Sequence, residues 1–431
     1  MMAANYRERL EYLYSLQFFG IKLGLENTRK LLSRVGNPQD SLRIIHIAGT
    51  NGKGSTAAAL ANIFYAAGVP SGLYTSPHLH SFTERIRVDT HQISESEAVE
   101  LIDELRPHAE VLRVTFFEFT TAMALLCFQR RGVRWAILET GLGGRLDATN
   151  VVIPQLCLMT PIALDHTPYL GADLTEIAAE KAGILKPGVA LISGYQEGEV
   201  RPILQQRAAQ LKVPLLQFGE DYHWRNDGDS FTVSGNNFSL AGVETSLAGI
   251  HQQQNLALAA AAVDYLSQNG LKINSAAIRN GLERVRWPGR LEWLPEKILL
   301  DGAHNPAGAK KLATYLRQQN LDNLHLVVGC KADKEASELL SELLPFTRGV
   351  YVTQPLVDNA VPVEKLVQQA HESGILANGY ADPVVAIQAA LENRSPGETI
   401  LVAGSLFLVA AIREFLLPTV DLLTITGSAN E

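Results

Sequence analysis

The chain has 431 residues and carries 37 Lys and Arg against 45 Asp and Glu. This length favours two domains over one core, and an acidic balance without a basic run argues against nucleic acid as the main partner. Three cysteines without a C-x-x-C pair predict neither a disulfide framework nor a zinc site. The N-terminal stretch has no apolar signal core, and the longest apolar run is too short to span a bilayer. We therefore expect a cytoplasmic protein without a membrane partner.

The N-terminal half of the chain alternates short apolar runs with helical stretches. The strand-like runs are RIIHIAG, GLYTSP, RWAILET, QLCLMT and VALISG. This order predicts an α/β fold whose mainly parallel sheet is covered on both faces, with ligands bound beyond the carboxyl ends of the strands. From about 215 to 250, short alternating pieces with turn signals predict a small antiparallel meander, followed by a helix near 255–269.

A second series of strand-like runs begins with KILLDGAHNP and continues through LHLVVGC, GVYVTQP and TILVAGS. We interpret the stretch before it, WPGRLEWLPEK, as a linker. The sequence thus predicts a P-loop ATPase-like parallel sheet domain with the small meander, followed by a smaller Rossmann-like α/β domain. The expected ranges are 1–294 for the ATP-binding domain and 295–431 for the C-terminal domain.

The stretch IAGTNGKGSTAAAL, residues 47–60, sets glycines between a predicted strand and a predicted helix. Backbone amides at such a helix N-terminus cradle phosphate, and Lys53 adds a positive charge for the outer phosphates. The match to the P-loop pattern is imperfect, because Ile47 takes the first glycine position and Gly54 lies between Lys53 and Ser55. An ordinary glycine-rich turn is the alternative.

Several polar residues follow apolar runs and are of the types that magnesium-nucleotide chemistry uses. Glu139 ends WAILE, Asp165 and His166 end TPIALDH, and Ser76 follows GLYT. Each has a plain alternative, since a carboxylate after a strand is often a helix cap, a lone histidine is often a satisfied surface residue, and Ser-Pro is an ordinary turn. Their occurrence together with the glycine-rich loop favours a metal-nucleotide site.

Lys181 shares a predicted helix face with apolar residues. They are Leu174, Ile177, Ala178, Ile184 and Leu185. A buried ammonium is costly unless it is paired, neutralised or chemically modified. The alternative is a lysine that snorkels past the apolar stripe to solvent.

Ten motifs occur together and in order, and they carry a family resemblance. They are GTNGKGS, YTSPHL, TERIRV, TFFEF, LETGLGGRLDATN, ALDHTPYLG, IAAEKAGI, RWPGRLE, DGAHNP and VAGSLFL. On these motifs nearly the whole chain resembles folylpolyglutamate synthase, a family of the Mur ligase superfamily that is often bifunctional with dihydrofolate synthase. The altered P-loop with Gly54 is the family's own form.

The resemblance implies ATP and Mg²⁺ as cofactors and assigns roles to particular residues. Implied catalytic residues are Lys53, Glu139, His166 and Lys181. Implied nucleotide contacts are Thr50, Asn51, Gly52, Lys53, Gly54, Ser55, Asn255, Arg290, Asp301 and His304. Implied magnesium ligands are Ser76, Glu139, His166 and Lys181, the last as a carbamate. Residues that resemble the pteroate pocket are Ile21, Lys22, Leu23, Thr115, Phe116, Phe117, Glu118, Leu146, Asp147 and Ala148, and Lys22 departs from the acidic residue of some bifunctional members.

The implied reaction activates a carboxylate and then forms an amide. ATP transfers its γ-phosphoryl group to folate or dihydropteroate, and the amine of L-glutamate attacks the resulting acyl phosphate. A monofunctional folylpolyglutamate synthase is the serious alternative. A peptidoglycan Mur ligase would carry a nucleotide-sugar domain ahead of the P-loop, where only about 45 residues stand here, and a non-catalytic nucleotide-binding module would tolerate loss of the implied catalytic residues. A monomer is the family expectation, and a monovalent cation such as K⁺ remains open.

Overall fold

The computed structural model describes residues 2–20, 22–332 and 336–417, which form two compact units. The first unit comprises Met1–Ile162, Leu170–Ser246 and Gln253–Val285, and the second comprises Ala163–Tyr169, Leu247–Gln252 and Arg286–Glu431. The domain ranges expected above, 1–294 and 295–431, stay a prediction.

Helices alternate with strands along both units. The helices are α1 (Met2–Ser15), α2 (Glu26–Arg34), α3 (Lys53–Ala66), α4 (Glu95–Leu112), α5 (Phe116–Arg130), α6 (Thr167–Leu170), α7 (Leu174–Lys181), α8 (Val200–Leu211), α9 (Ile250–Gln268), α10 (Ser275–Arg284), α11 (Pro306–Gln318), α12 (Ala336–Leu343), α13 (Val363–Glu372), α14 (Pro383–Asn393) and α15 (Leu406–Leu416). The strands are β1 (Arg43–Ala48), β2 (Ser71–Tyr74), β3 (Ile86–Val88), β4 (His91–Gln92), β5 (Trp135–Glu139), β6 (Leu156–Met159), β7 (Leu191–Ser193), β8 (Leu215–Gln217), β9 (Tyr222–Asn226), β10 (Ser230–Gly235), β11 (Ser239–Glu244), β12 (Glu292–Leu294), β13 (Ile298–Leu300), β14 (Leu324–Val328), β15 (Thr347–Val352), β16 (Ala377–Gly379) and β17 (Ile400–Ala403).

The first unit is built on a large sheet with the strand order β4-β3-β2-β5-β1-β6-β7-β8. From β2 to β8 the neighbouring strands pair in parallel, and β3 and β4 join one edge antiparallel. Strand β1 is buried from its second residue on and β5 throughout, as expected for strands covered on both faces. The predicted α/β class is therefore confirmed.

Close helix packing fixes the helix that starts at the glycine-rich loop. Helix α3 is buried along most of its length and packs against α10. A Cβ at Gly281 of α10 would lie 2.4 Å from the Cα of Ile63 in α3. Only a glycine allows this approach, so α10 sets the position of α3 and of the loop before it.

The antiparallel meander is present but starts later than predicted. Strands β9, β10 and β11 form a separate antiparallel sheet. Leu215–Gln217, at the predicted start of the meander, is instead β8 and pairs in parallel with β7. Three residues are too few to show a period, so the pairing partner decides which sheet such a piece joins.

The second unit has its own sheet, in the order β12-β13-β17-β14-β15-β16. The strands from β13 to β16 are parallel, as predicted for a second α/β domain, and β12 pairs antiparallel with β13. The interpretation of residues 287–297 as a linker was wrong in part, because Glu292–Leu294 is this edge strand. An ion pair joins this strand to α15, because the buried Arg413 donates to both carboxylate oxygens of Glu292 at 3.0 Å.

Candidate active site

The glycine-rich loop follows the carboxyl end of β1 and leads into α3. The backbone amides of Thr50 and Asn51 donate to the Pro161 carbonyl at 2.9 and 3.3 Å, which fixes the start of the loop. Gly52 then takes a left-handed conformation with φ of 89°, and a Cβ there would lie 2.3 Å from the Asn255 side-chain oxygen. Both features require glycine at this position. Because the N-cap residue is a glycine, no N-cap side chain accepts hydrogen bonds from the first-turn amides of α3.

Two lysine side chains meet at one carbonyl of this loop. The Lys53 amine donates to the carbonyls of Gly49 and Thr50, both at 3.0 Å. The Lys181 amine donates to the same Gly49 carbonyl at 2.9 Å. Lys181 ends α7 and is only 4% exposed, so it is buried and does not snorkel to solvent. Lys53 is half-buried at the start of α3.

Glu139 and Ser76 are neighbours at the carboxyl ends of β5 and β2. Glu139 is 5% exposed, and its Oε2 accepts a hydrogen bond from the Ser76 amide at 3.1 Å. Both residues offer oxygen ligands of the kind that Mg²⁺ prefers. Among the described residues, no group of three or more His, Cys, Asp and Glu side chains is arranged to hold a metal ion. The predicted magnesium ligand set therefore stays a prediction, with two of its oxygen donors side by side.

Residues Thr115–Glu118 of the predicted pteroate pocket form the N-terminus of α5. The Thr115 hydroxyl accepts from the Glu118 amide at 3.3 Å, and the Glu118 carboxylate accepts from the Thr115 amide at 2.6 Å. This capping box uses the polar atoms of both residues in the fold. Phe116 and Phe117, the two residues between Thr115 and Glu118, are half-buried. The Phe117 ring packs close to Gly141, where an added Cβ would lie 2.5 Å from the ring.

The other predicted pocket residues differ in exposure. Leu23 and Lys22 are exposed, and the Lys22 amine donates to the Arg113 carbonyl at 3.2 Å. Leu146 is half-buried and Ala148 is buried. Ile21 lies outside the described residues.

Asp147 is buried and accepts hydrogen bonds at both carboxylate oxygens. Its Oδ2 accepts from the amides of Gly141 and Leu142 at 2.9 and 2.8 Å. Its Oδ1 accepts from the Thr149 amide at 3.0 Å and from the Thr149 hydroxyl, which contacts His46 Nε2. Burial raises the pKa of Asp147, although these hydrogen bonds oppose the shift. Asp147 thus holds the Gly141–Leu142 turn against the short helical turn that begins at Ala148.

In the second unit, Asp301 follows β13 and joins two loops. One oxygen accepts from the Leu291 amide and the other from the Ala303 amide, each at 2.8 Å. Burial raises the pKa of Asp301, and the nearby Arg290 guanidinium opposes the shift. Arg290 is also close to Gly302, where a Cβ would lie 2.6 Å from a guanidinium nitrogen. Asp301 therefore determines the shape of the loop that carries Arg290.

Asp165 brings the two predicted site histidines of the second unit together. His304 Nε2 lies 3.7 Å from Asp165 Oδ2, and His166 Nε2 lies 3.9 Å from Asp165 Oδ1. Asn305 Nδ2 donates to the same Asp165 Oδ2 at 3.0 Å, while its side-chain oxygen caps α11. Sequence reasoning missed Asn305, although Asn before Pro at the start of an apolar-periodic stretch is an N-cap signal. Because His166 falls in the Ala163–Tyr169 segment of the second unit, its relation to Glu139 stays a prediction.

Two family models match the chain. The Mur ligase middle domain matches residues 47–263, and the Mur ligase glutamate ligase domain matches residues 289–406. The chain therefore belongs to the Mur ligase family of ATP-dependent, amide-bond-forming ligases. In the described residues, no helix combines the length and the apolar character needed to cross a membrane.

Individual relatives narrow this class. The dihydrofolate synthase/folylpolyglutamate synthase of Bacillus subtilis (strain 168) is 33% identical over 431 aligned positions, which cover 96% of this chain and 99% of the relative. An E. coli FolC structure in complex with DHPP and ADP matches with a TM-score of 0.87 and 31% identity, covering 95% of this chain and 97% of that one. A bifunctional folylpolyglutamate synthase/dihydrofolate synthase from Yersinia pestis, complexed with AMPPNP and Mn ion, matches with a TM-score of 0.86 and 30% identity, covering 95% and 98%. Within the Mur ligases, the chain belongs to the folylpolyglutamate synthase/dihydrofolate synthase family.

Proposed function

We propose that the protein adds L-glutamate to folates with the energy of ATP, and that it also converts dihydropteroate to dihydrofolate in the same way. The reaction runs through an acyl phosphate, since a free carboxylate is a poor acyl donor. The γ-phosphoryl group of ATP is transferred to the substrate carboxylate, and the glutamate amine then displaces phosphate. The likeness to the bifunctional B. subtilis and Y. pestis proteins supports both activities.

The observation that carries the proposal is the meeting of Lys53 and Lys181 at the Gly49 carbonyl, beside a glycine-capped helix N-terminus. Amides at such a terminus bind phosphate oxygens, which is the role we assign to Asn51, Gly52, Gly54 and Ser55 with Thr50. Lys53 then offsets the charge that develops on the transferring phosphoryl group. No side-chain nucleophile is required.

The residues present fit a divalent cation. Ser76 and the buried Glu139 supply neighbouring oxygen atoms, and Lys181 supplies two more if its amine carries carbon dioxide as a carbamate. A carbamate nitrogen keeps one N–H, so the bond to the Gly49 carbonyl is compatible with the modification. When bound with ATP, Mg²⁺ would screen charge on the phosphates, and we assign Ser76, Glu139, His166 and carbamylated Lys181 to hold it.

The rest of the predicted site belongs to the same proposal. Asn255, Arg290, Asp301 and His304 contact the nucleotide, and residues 21–23, 115–118 and 146–148 surround the pterin-bearing substrate. The position of Phe117 against Gly141 and the loop held by Asp147 support a shaped pocket in the first unit. On the family resemblance alone, we extend the proposal to a cytoplasmic monomer that binds no nucleic acid, and we leave open a requirement for K⁺.

The test of the function uses the purified full chain with ATP, Mg²⁺ and labelled L-glutamate. Dihydropteroate is offered in one reaction and a reduced monoglutamyl folate in another, and chromatography separates the products. Labelled product from both substrates is expected. Product from the folate alone would establish the monofunctional alternative, and labelled product from neither would refute folate-glutamate ligation.

A further inference from the structure

Arg85 is a buried cation in the TERIRV motif, to which the proposed function gives no role. It ends the short helical turn Phe82–Arg85, just before β3, and is 8% exposed. Its Nε donates to His78 Nδ1 at 2.7 Å. A guanidinium carries five N–H donors, so this one bond uses a small part of its capacity.

Aromatic rings form one side of the Arg85 environment. The guanidinium carbon lies 5.1 Å from the centroid of the Phe116 ring. Phe116 also stacks on Tyr14 at 5.9 Å and meets the edge of Phe82 at 6.3 Å. These rings hold the arginine in place by cation–π attraction and packing, but they do not neutralise its charge.

No carboxylate of the described residues forms an ion pair with Arg85. The nearby Glu84 is already committed, because its oxygens accept from the amides of Leu79, His80 and Ser81, each at 2.8 Å. Glu139 accepts from the Ser76 amide and acts on Arg85 only at longer range. Burying a cation without an ion-pair partner is costly, and a bound anion would offset that cost.

We propose that Arg85 binds the reacting carboxylate of the folate or dihydropteroate substrate, an assignment that rests on the proposed function. Arginine matches a carboxylate with two parallel hydrogen bonds, which a lysine cannot reproduce. Arg85 lies next to Phe116 of the predicted pteroate pocket and within electrostatic reach of Glu139, a proposed metal ligand. A carboxylate bound by Arg85 would thus lie beside the predicted pteroate pocket.

The contacts of the Phe116 ring restrict how a substrate can pack against it. One contact of the Phe116 ring is a stack on Tyr14, and another is the Arg85 guanidinium. Phe116 therefore links the arginine to the predicted pteroate pocket.

The experiment compares Arg85→Gln and Arg85→Lys with the wild-type full chain. We expect Arg85→Gln to raise the KM for both dihydropteroate and monoglutamyl folate by about 10- to 100-fold, with the KM for ATP unchanged. Arg85→Lys should recover part of the loss, since it keeps the charge without the paired hydrogen bonds. Arg87→Gln is the matched control, because Arg87 is an equally buried arginine of the same segment, and it should not change either KM.

A binding measurement separates recognition of the carboxylate from a packing role. Dihydropteroate and its carboxamide analogue are titrated into each variant in the presence of a non-hydrolysable ATP analogue. Wild type should prefer the carboxylate by about tenfold or more, and Arg85→Gln should bind both ligands equally. Retention of the preference in a folded Arg85→Gln protein overturns the inference, as does a KM increase for the folate substrate alone. If wild type ligates glutamate to neither substrate, the proposed function fails instead.

Discussion

The two units use the carboxyl ends of their central strands in different ways. After β1 of the first unit, the Gly49 carbonyl accepts hydrogen bonds from the side chains of Lys53 and Lys181. After β13 of the second unit, the Asp301 carboxylate accepts hydrogen bonds from the backbone amides of Leu291 and Ala303. The first arrangement brings charged side chains to a loop, and the second uses a charged side chain to shape a loop. The same place in a parallel sheet can thus serve chemistry or scaffolding, and residue type alone does not tell which.

The largest loss of activity is expected when the lysine of the glycine-rich loop is replaced. Lys53→Ala should lower kcat by roughly 10²–10³-fold, because a positioned charge on the transferring phosphoryl group is lost. Its unfolding temperature should stay close to that of wild type, since α3 keeps its buried apolar face. Lys30→Ala, which removes an exposed lysine of the same unit, is the control for both measurements. Near-normal turnover of Lys53→Ala would contradict the phosphate-loop interpretation. The loop after β1 would then have no demonstrated role in the chemistry.

A second effect tests whether Lys181 acts as a carbamate. Lys181→Ala should lose about 10²-fold in activity, and formate or acetate should restore part of it by supplying oxygen ligands in the vacated space. Formate should not rescue Lys53→Ala, whose missing group is a cation. Lys181→Arg keeps a cation that cannot hold carbon dioxide, so wild-type activity in that variant would contradict the carbamate role.

Asp147 tests whether scaffolding also occurs in the first unit. Asp147→Ala should lower the free energy of unfolding by about 3 kcal/mol, because several buried donors lose their acceptor. Both glutamate additions should then fall by a similar factor, since the Gly141–Leu142 turn is common to them. Asp147→Asn keeps an acceptor and should lose less stability. Selective loss of dihydrofolate formation at unchanged stability would instead make Asp147 a contact to the substrate.

Much of the fold was predictable, because long apolar runs and helix signals depend on local sequence. The central strands β1, β5 and β6 are such runs, and the order of elements gave the α/β class. The edge strands β4, β12 and β16 were not predicted, since each has two or three residues and depends on its neighbour for pairing. Propensity carries little information at that length.

The site was predictable as a set of residue types and less so as a set of roles. Lys53, Glu139 and Ser76 stand where a strand ends, and the rule for parallel sheets brings such residues to one edge. The partners of Asp147 and Asp301 are backbone amides, which any residue supplies, so no sequence pattern marks them. The unpaired charge of Arg85 was equally hidden, because it depends on which carboxylates are already committed elsewhere.

The smallest effect is expected on the stability of Asp301 variants, which tests whether Asp301 supports the fold of the second unit. Asp301→Ala leaves two buried amides without an acceptor and should lose about 2 kcal/mol of stability. Asp301→Asn keeps one acceptor and removes a buried charge, so its loss at neutral pH should stay within about 1 kcal/mol. Asp322→Asn, which alters an exposed aspartate of the same unit, is the matched control in urea unfolding.

The pH dependence of this pair sharpens the comparison, because burial raises the pKa of Asp301 above its ordinary value of 3.8. The folded chain then binds the proton more tightly than the unfolded chain. The stability contributed by this group is therefore greatest below pH 3.8 and declines as the pH rises through the folded-state pKa. The side chain at position 301 does not titrate in Asp301→Asn, so wild type should lose stability relative to this variant as the pH rises above 3.8. A constant difference between the two proteins would contradict the buried scaffold. A folded Asp301→Asn whose kcat falls by about 10²-fold would show that Asp301 serves the proposed nucleotide contact as well as the loop.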